Sequence, residues 1–122
     1  MESMRDRSAT CRVEFVATEA GFAGGVGGAS NAEDSAGSHY VLFGRQTDSQ
    51  NPECSGVYFE FDGQIHGGVD RVGAITVADG WVSFELREGD QIVVRSGLSE
   101  SQWADLVKGI RDTFGDDIVH EG

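Results

Sequence analysis

Two carboxylates, Glu60 and Asp62, stand two residues apart in the alternating run Val57-Tyr58-Phe59-Glu60-Phe61-Asp62. Residues i and i+2 of an extended strand share a face, so Glu60 and Asp62 point the same way as Tyr58, while Val57, Phe59 and Phe61 point the other way. Paired carboxylates can divide into acid and base for hydrolysis, but such a pair is more simply the wet face of a half-exposed strand. Three histidines, His39, His66 and His120, and two cysteines, Cys11 and Cys54, could bind metal. No two of them stand at a ligand spacing such as C-x-x-C or H-x-x-x-H, so neither metal nor cofactor is expected. There is no G-x-S-x-G elbow, and neither cysteine has a nucleophile context. Gly24-Gly25-Val26-Gly27-Gly28 invites a phosphate-loop reading, yet no Lys follows and Ser30 leads into a polar, acidic run. No catalytic residues are expected.

Recognition chemistry is better represented. On a single sheet, Tyr58, Glu60, Asp62, Trp81, Ser83 and Glu85 would project from one outer face, with Asp70, Glu88 and Asp90 at its edge. Interface cores favour Tyr and Trp, and a carboxylate beside a desolvated ring is a strong anchor for an incoming Arg or Lys. The plainer reading is a solvent-facing sheet that uses Tyr and Trp for their β propensity.

The 122-residue chain is long enough to bury roughly two thirds of its unfolded surface as one domain, 1–122, and too short for two independent cores. Its formal charge is −12, from 9 Lys plus Arg against 21 Asp plus Glu. That charge disfavours nucleic acid or an anionic membrane as a direct partner and makes a basic protein the natural complement. Acidity also serves solubility in many domains. With 39% hydrophobic residues the chain needs no disulfide, so Cys11 and Cys54 read as free thiols. The N-terminus lacks the apolar region of a secretory signal, and no apolar run approaches the roughly 20 residues needed to cross a bilayer. A soluble cytoplasmic protein, monomeric or weakly dimeric, is the expectation.

The elements that position these residues follow in order. Residues 1–9 read as frayed. Cys11, Val13, Phe15 and Ala17 alternate with Arg12, Glu14 and Val16 as a first strand. Residues 21–38 are so rich in Gly, Ser, Asn and Asp that they read as a mobile loop, with at most a short strand around Phe22. Tyr40–Gly44 is a second strand, and residues 47–55, with the lone Pro52, form a loop. From Gly56 to Val77 a strand, a glycine-marked turn and a second strand read as the middle of one antiparallel sheet. Either Asp62-Gly63 or Gly67-Gly68 could close that hairpin. A two-residue type I′ turn at Asp79-Gly80 matches Val77 with Val82 and Ile75 with Phe84, apolar against apolar, and a one-residue slip would break every match. A three-residue loop Glu88-Gly89-Asp90 would pair Leu86 with Ile92 and Phe84 with Val94, completing a meander over 73–95.

The last element is a helix over 99–114. Ser99 and Gln102 form a capping box, and Leu98 can staple onto Trp103. At about 100° per residue, Trp103, Leu106, Val107, Ile110 and Phe114 share one stripe, Gly109 costs about 1 kcal/mol of helix propensity, and Gly115 stops the helix. The expected fold is therefore α+β, an antiparallel β-sheet of about five or six strands with a C-terminal α-helix packed on one face.

Taken as an ordered set, Tyr40-Val41-Leu42-Phe43-Gly44-Arg45, Gly56-Val57-Tyr58-Phe59-Glu60-Phe61-Asp62-Gly63-Gln64, Gly67-Gly68-Val69-Asp70 and Leu98-Ser99-Glu100-Ser101-Gln102-Trp103, with Leu106, Gly109, Ile110 and Phe114, resembles the immunity protein 10 family of bacterial polymorphic toxin systems. The likeness covers roughly residues 38–115. It implies a non-enzymatic antitoxin that binds the C-terminal effector domain of a cognate secreted toxin and blocks it, with no catalytic residues to carry over. The acidity then favours a basic target such as a nuclease. Two other readings stay open, a small hydrolase using the surface carboxylates and an adaptor or secretion chaperone that binds a toxin without inhibiting it.

Overall fold

The computed structural model describes residues 12–23, 25–31, 39–46, 56–63 and 67–122. The frayed start over 1–9, the loop over 47–55 and the thiols of Cys11 and Cys54 lie outside these residues. The elements are β1 (Arg12–Ala17), β2 (Glu19–Ala23), β3 (Val26–Ser30), β4 (Tyr40–Gln46), β5 (Gly56–Phe61), β6 (Gly68–Val69), β7 (Val72–Ala78), β8 (Trp81–Leu86), β9 (Gln91–Ser96), α1 (Glu100–Phe114) and β10 (Val119–Glu121). The fold is α+β with largely antiparallel pairing, as expected. Its strands are divided between two five-stranded sheets: sheet I in the order β1-β9-β8-β7-β10, and sheet II in the order β2-β3-β4-β5-β6.

The centre of sheet I is the meander. Val77 pairs with Val82 and Ile75 with Phe84 around Asp79-Gly80, in the register that apolar matching requires. Only Gly80 takes a positive φ there, 91°, so the turn is not type I′, which needs two such residues. After Leu86 the chain turns over residues 87–90, with the Asp90 carbonyl accepting from Leu86 N–H at 2.8 Å. The pairs become Phe84 with Ile92 and Val82 with Val94, two residues from the expected register. An even shift leaves every side chain on its expected face. β1 and β10 flank the meander as parallel edge strands. The C-terminal strand β10 has no counterpart in the sequence reading, which ends with the helix.

Sheet II corrects the reading of residues 21–38 as a loop over its described part; residues 24 and 32–38 lie outside the described residues. Glu19–Ala23 and Val26–Ser30 pair antiparallel as β2 and β3, and β3 pairs with β4 from Val26 opposite Gly44 to Ser30 opposite Tyr40. Small residues are required because large ones occupy the space. A Cβ on the buried Gly27 would stand 2.7 Å from the Phe43 ring and 2.8 Å from that of Phe22. The stretch 56–77 is likewise not one hairpin. β5 belongs to sheet II and β7 to sheet I, with the short β6 and the turn at Asp70 (φ 59°) between them. β5 pairs with β6 as Tyr58 opposite Val69 and Phe59 opposite Gly68, a register that a two-residue turn at either glycine pair would not give.

The inner faces of the two sheets meet through aromatic rings. Phe59 of sheet II lies 4.9 Å from Phe84 of sheet I, centroid to centroid, and Phe43 lies 6.4 Å from Phe84. Helix α1 is seated against both sheets, with Phe114 at 5.5 Å from Phe43 and 6.3 Å from Phe84. Ser99 caps the helix in the expected box with Gln102, and Gly115 ends it with φ 82°. Leu106 and Ile110 are fully buried, whereas Trp103 and Val107 are only partly covered. The helix is not long and apolar enough to cross a membrane.

Gly109 has a packing reason that outweighs its helix propensity. A Cβ there would come to 2.5 Å of Phe22 Cδ1 and 2.8 Å of Phe22 Cβ, too close for the ring to yield by a rotamer change alone. Gly109→Ala gains about 1 kcal/mol of propensity, and overpacking costs about 1–3 kcal/mol. The variant is expected to lower the urea midpoint with an unchanged slope, and adding Phe22→Ala should make the Gly109→Ala step stabilising. A rise in midpoint for Gly109→Ala alone would overturn this account.

Candidate functional site

Burial of Val41, Phe43, Phe59 and Phe61 assigns the alternate residues of β4 and β5 to the outer face of sheet II. Rows then run across that face: Glu19, Ser30 and Tyr40; Gly21, Gly28, Leu42 and Glu60; Ala23, Val26, Gly44 and Tyr58. Three glycines leave the floor almost bare of side chains around Leu42. One shallow depression, about 210 Å³, is lined by Val26, Leu42, Phe43, Gly44, Arg45 and Tyr58. A second, about 380 Å³, lies between Glu19, Gly28, Ser30, Tyr40 and Leu42.

Beside this floor sits a held carboxylate. Glu60 is 6% exposed. Tyr58 donates to its Oε1 at 2.5 Å and Tyr40 donates to its Oε2. Antiparallel pairing explains the contact, because Tyr40 is the diagonal cross-strand neighbour of Glu60 and Tyr58 lies two residues away on its own strand. The two hydroxyls, Tyr40 first, hold the Glu60 carboxyl below the usual carboxylate value and outweigh the burial that pushes it up. In return the Glu60 charge raises both phenols above their usual value, its hydrogen bond being the first cause in each case. Tyr40 also accepts from Gly63 N–H at 3.0 Å.

Asp62 is tied one row further along. Its Oδ2 lies 2.7 Å from His39 Nδ1, and its Oδ1 accepts from Tyr40 N–H at 3.0 Å. The His39 ring stacks on Phe15 at 5.7 Å, where the two sheets approach each other. With both Glu60 oxygens accepting, this group suits a standing negative charge rather than a proton donor.

Of the eight candidate contact residues, the structure brings Tyr58, Glu60 and Asp62 together and separates the others. Trp81 and Glu85 lie on β8 in sheet I, whose outer face is directed away from that of sheet II because the inner faces are packed together. Ser83 is buried there and accepts from Gln91 Nε2 at 2.9 Å. On the same face Arg95 and Arg12 pair with Glu14 and lower its pKa, Arg95 first. Asp70 and Glu88 are in turns joined by two arginines: Arg71 pairs with Glu88, and Arg87 Nε donates to the Asp70 carbonyl at 2.8 Å. Asp90 closes the β8–β9 turn. The single composite face is therefore corrected to one sheet's face plus two separate regions, because β5 left the meander for a sheet of its own. The sequence reading weighed His39 only as a metal ligand and Tyr40 only as part of a strand, and placed neither in this site. The signal was the alternation Tyr40-x-Leu42-x-Gly44, which pairing with β5 sets beside Glu60 and Asp62.

Comparison with protein families, with curated proteins and with solved structures finds no match for this chain.

Because the folded-state value of Glu60 lies below the ordinary 4.5, its contribution is fully present above that pH. It is lost as pH falls through the lowered value. Glu60→Gln is expected to cost about 1.5–3 kcal/mol at pH 7, in line with hydrogen bonds to a charged group, with the gap from the parent closing as pH falls through the lowered value. The two raised phenols work in the opposite sense: their contribution is present below pH 10 and lost as pH rises above it. Urea unfolding from pH 3 to 7 checks the acid limb, and a constant gap would remove the ionised Glu60 from the account.

Proposed function

We propose that this chain is an immunity-type inhibitor that binds the effector domain of a cognate bacterial toxin and occludes it, with the outer face of sheet II as the contact. The observation that carries the reading is the ionised carboxylate of Glu60, fixed between Tyr40 and Tyr58 beside a flat, side-chain-poor floor. A guanidinium from a basic partner can take the remaining lone pairs of that carboxylate and stack on a tyrosine ring. The floor around Leu42 lets the partner's surface approach the strands closely. A net charge of −12 supplies the steering field, which can carry association toward 10⁸ M⁻¹s⁻¹ at low salt. The ordered likeness of residues 38–115 to the immunity protein 10 family supports the same class.

The pair His39–Asp62 keeps a second reading in view, since an imidazole oriented by a carboxylate is also the arrangement of a general base. Co-expression separates the readings. Rescue of cells from a toxin encoded beside this gene supports inhibition, turnover of a small substrate without rescue supports an enzyme, and binding without rescue supports an adaptor.

The contact face is tested by charge. Val26 is 50% exposed and Leu42 is partly exposed, so Val26→Lys with Leu42→Lys places two cations on the floor without removing core side chains. The pair is expected to weaken binding of the basic effector domain by about 100-fold, roughly 2.7 kcal/mol. Glu85→Lys, on the opposite face, should change it much less. Equal effects, or none from the double variant, would move the contact elsewhere.

A further inference from the structure

A second surface lies away from sheet II, where helix α1 overhangs the edge of sheet I. Its groove of about 600 Å³ has a floor of Val77, Ala78, Trp103 and Val107 and a rim carrying Asp79, Asp112 and Glu121. Two cations share the rim, each already in an ion pair, Lys108 with Asp112 at 2.5 Å and Arg111 with Glu121 at 2.9 Å. Carboxylates are thus in excess there. The apolar stripe of the helix is wider than its seat, which leaves Trp103 and Val107 partly open toward this space.

The groove runs beside β10, an edge strand. Ile75 N–H donates to the Ile118 carbonyl at 2.8 Å and Gly122 N–H to the Val77 carbonyl at 2.9 Å, so Ile118 and Gly122 turn their polar groups to β7. By the alternation of a parallel ladder, Val119 and Glu121 direct theirs away from the sheet. Among the described residues no strand pairs with that edge. An edge with outward N–H and C=O groups beside an apolar groove is what strand addition uses: the main chain supplies affinity and alternate side chains supply specificity.

We propose that the β10 edge and the α1 groove together bind an extended peptide segment that adds as a further strand to sheet I. It would place an apolar side chain on Trp103 and Val107, with flanking basic side chains at Asp79, Asp112 and Glu121. This inference does not rest on the toxin-binding reading, which concerns the other sheet.

The test uses the full chain, ¹⁵N-labelled, titrated with the capped pentapeptide RTVTR and with ETVTE as the charge control. Saturable shifts confined to Val119–Gly122, Asp79 and the Trp103 indole, with slowed amide exchange at Val119 and Glu121, are expected for RTVTR and not for ETVTE. Glu121→Pro removes an outward N–H, a position where an edge strand tolerates proline, and should weaken RTVTR binding at least tenfold. Glu121→Gln keeps that N–H and should weaken it less. Absence of saturable shifts at β10, equal response to both peptides, or unaltered binding by a folded Glu121→Pro chain would overturn the proposal. So would concentration-dependent broadening at β10 without peptide, which would assign the edge to a second copy of the chain.

Discussion

The packing of Phe59 against Phe84 is the constraint on which the rest depends, because it joins the two sheets face to face. Once one residue of a strand is committed inward, the period of two commits every other residue. Phe59 inward sends Tyr58 and Glu60 outward, and Phe84 inward sends Ser83 and Glu85 outward on the far side. The rings of Phe43 and Phe114 complete the cluster, and pairs of this kind add about 0.5–1.5 kcal/mol each beyond the area they bury. The outer faces are therefore consequences of the core, and any partner meets whatever the inward commitments leave over.

Local pairing was legible in the sequence, and division between sheets was not. The register at Asp79-Gly80 follows from matching neighbours across a short turn, and the helix from its cap and stripe, since both rest on residues close in the chain. The hairpin β2–β3 was hidden because its inner positions, Gly27 and Ala29, are small, Gly27 in answer to the rings of Phe22 and Phe43, and small residues read as loop until those rings are placed. The same ambiguity obscured Gly109, a propensity defect on paper and a contact surface for Phe22 in the fold. Asp70, at φ 59°, is where the chain leaves one sheet for the other, and an Asp accommodates that conformation without announcing it. The site was legible in part for the same reason. Tyr58, Glu60 and Asp62 lie on one strand or at its end, whereas Tyr40 joins them only through the β4–β5 register.

Charge is arranged unevenly over this frame. On sheet I and the helix, Arg12, Arg71, Arg95, Lys108 and Arg111 each sit in an ion pair, so much of the negative charge nearby is locally compensated. On the outer face of sheet II, Glu60 is satisfied by neutral hydroxyls instead, which stabilise the charge without cancelling it. The distinction matters for recognition. A carboxylate already paired with arginine must lose that partner before it can serve another, whereas one held by tyrosines keeps its field and a fixed position, so an incoming cation meets little ordering cost.

Helix α1 stands between the two surfaces, and its packing bears on whether they communicate. One side of it meets sheet II at Phe22 and Gly109, and another forms the wall of the groove through Trp103 and Val107. Coupling between sites requires an element with two discrete arrangements that both ligands bias. Leu106 and Ile110 are fully buried, and the Gly109 contact leaves no room for a methyl group, so sliding or rotating the helix would drive a side chain into the Phe22 ring. A helix with one seat transmits no choice between states. Coupling between the face of sheet II and the edge of sheet I would need a second seat for the helix, which the close contact of Gly109 with Phe22 disfavours.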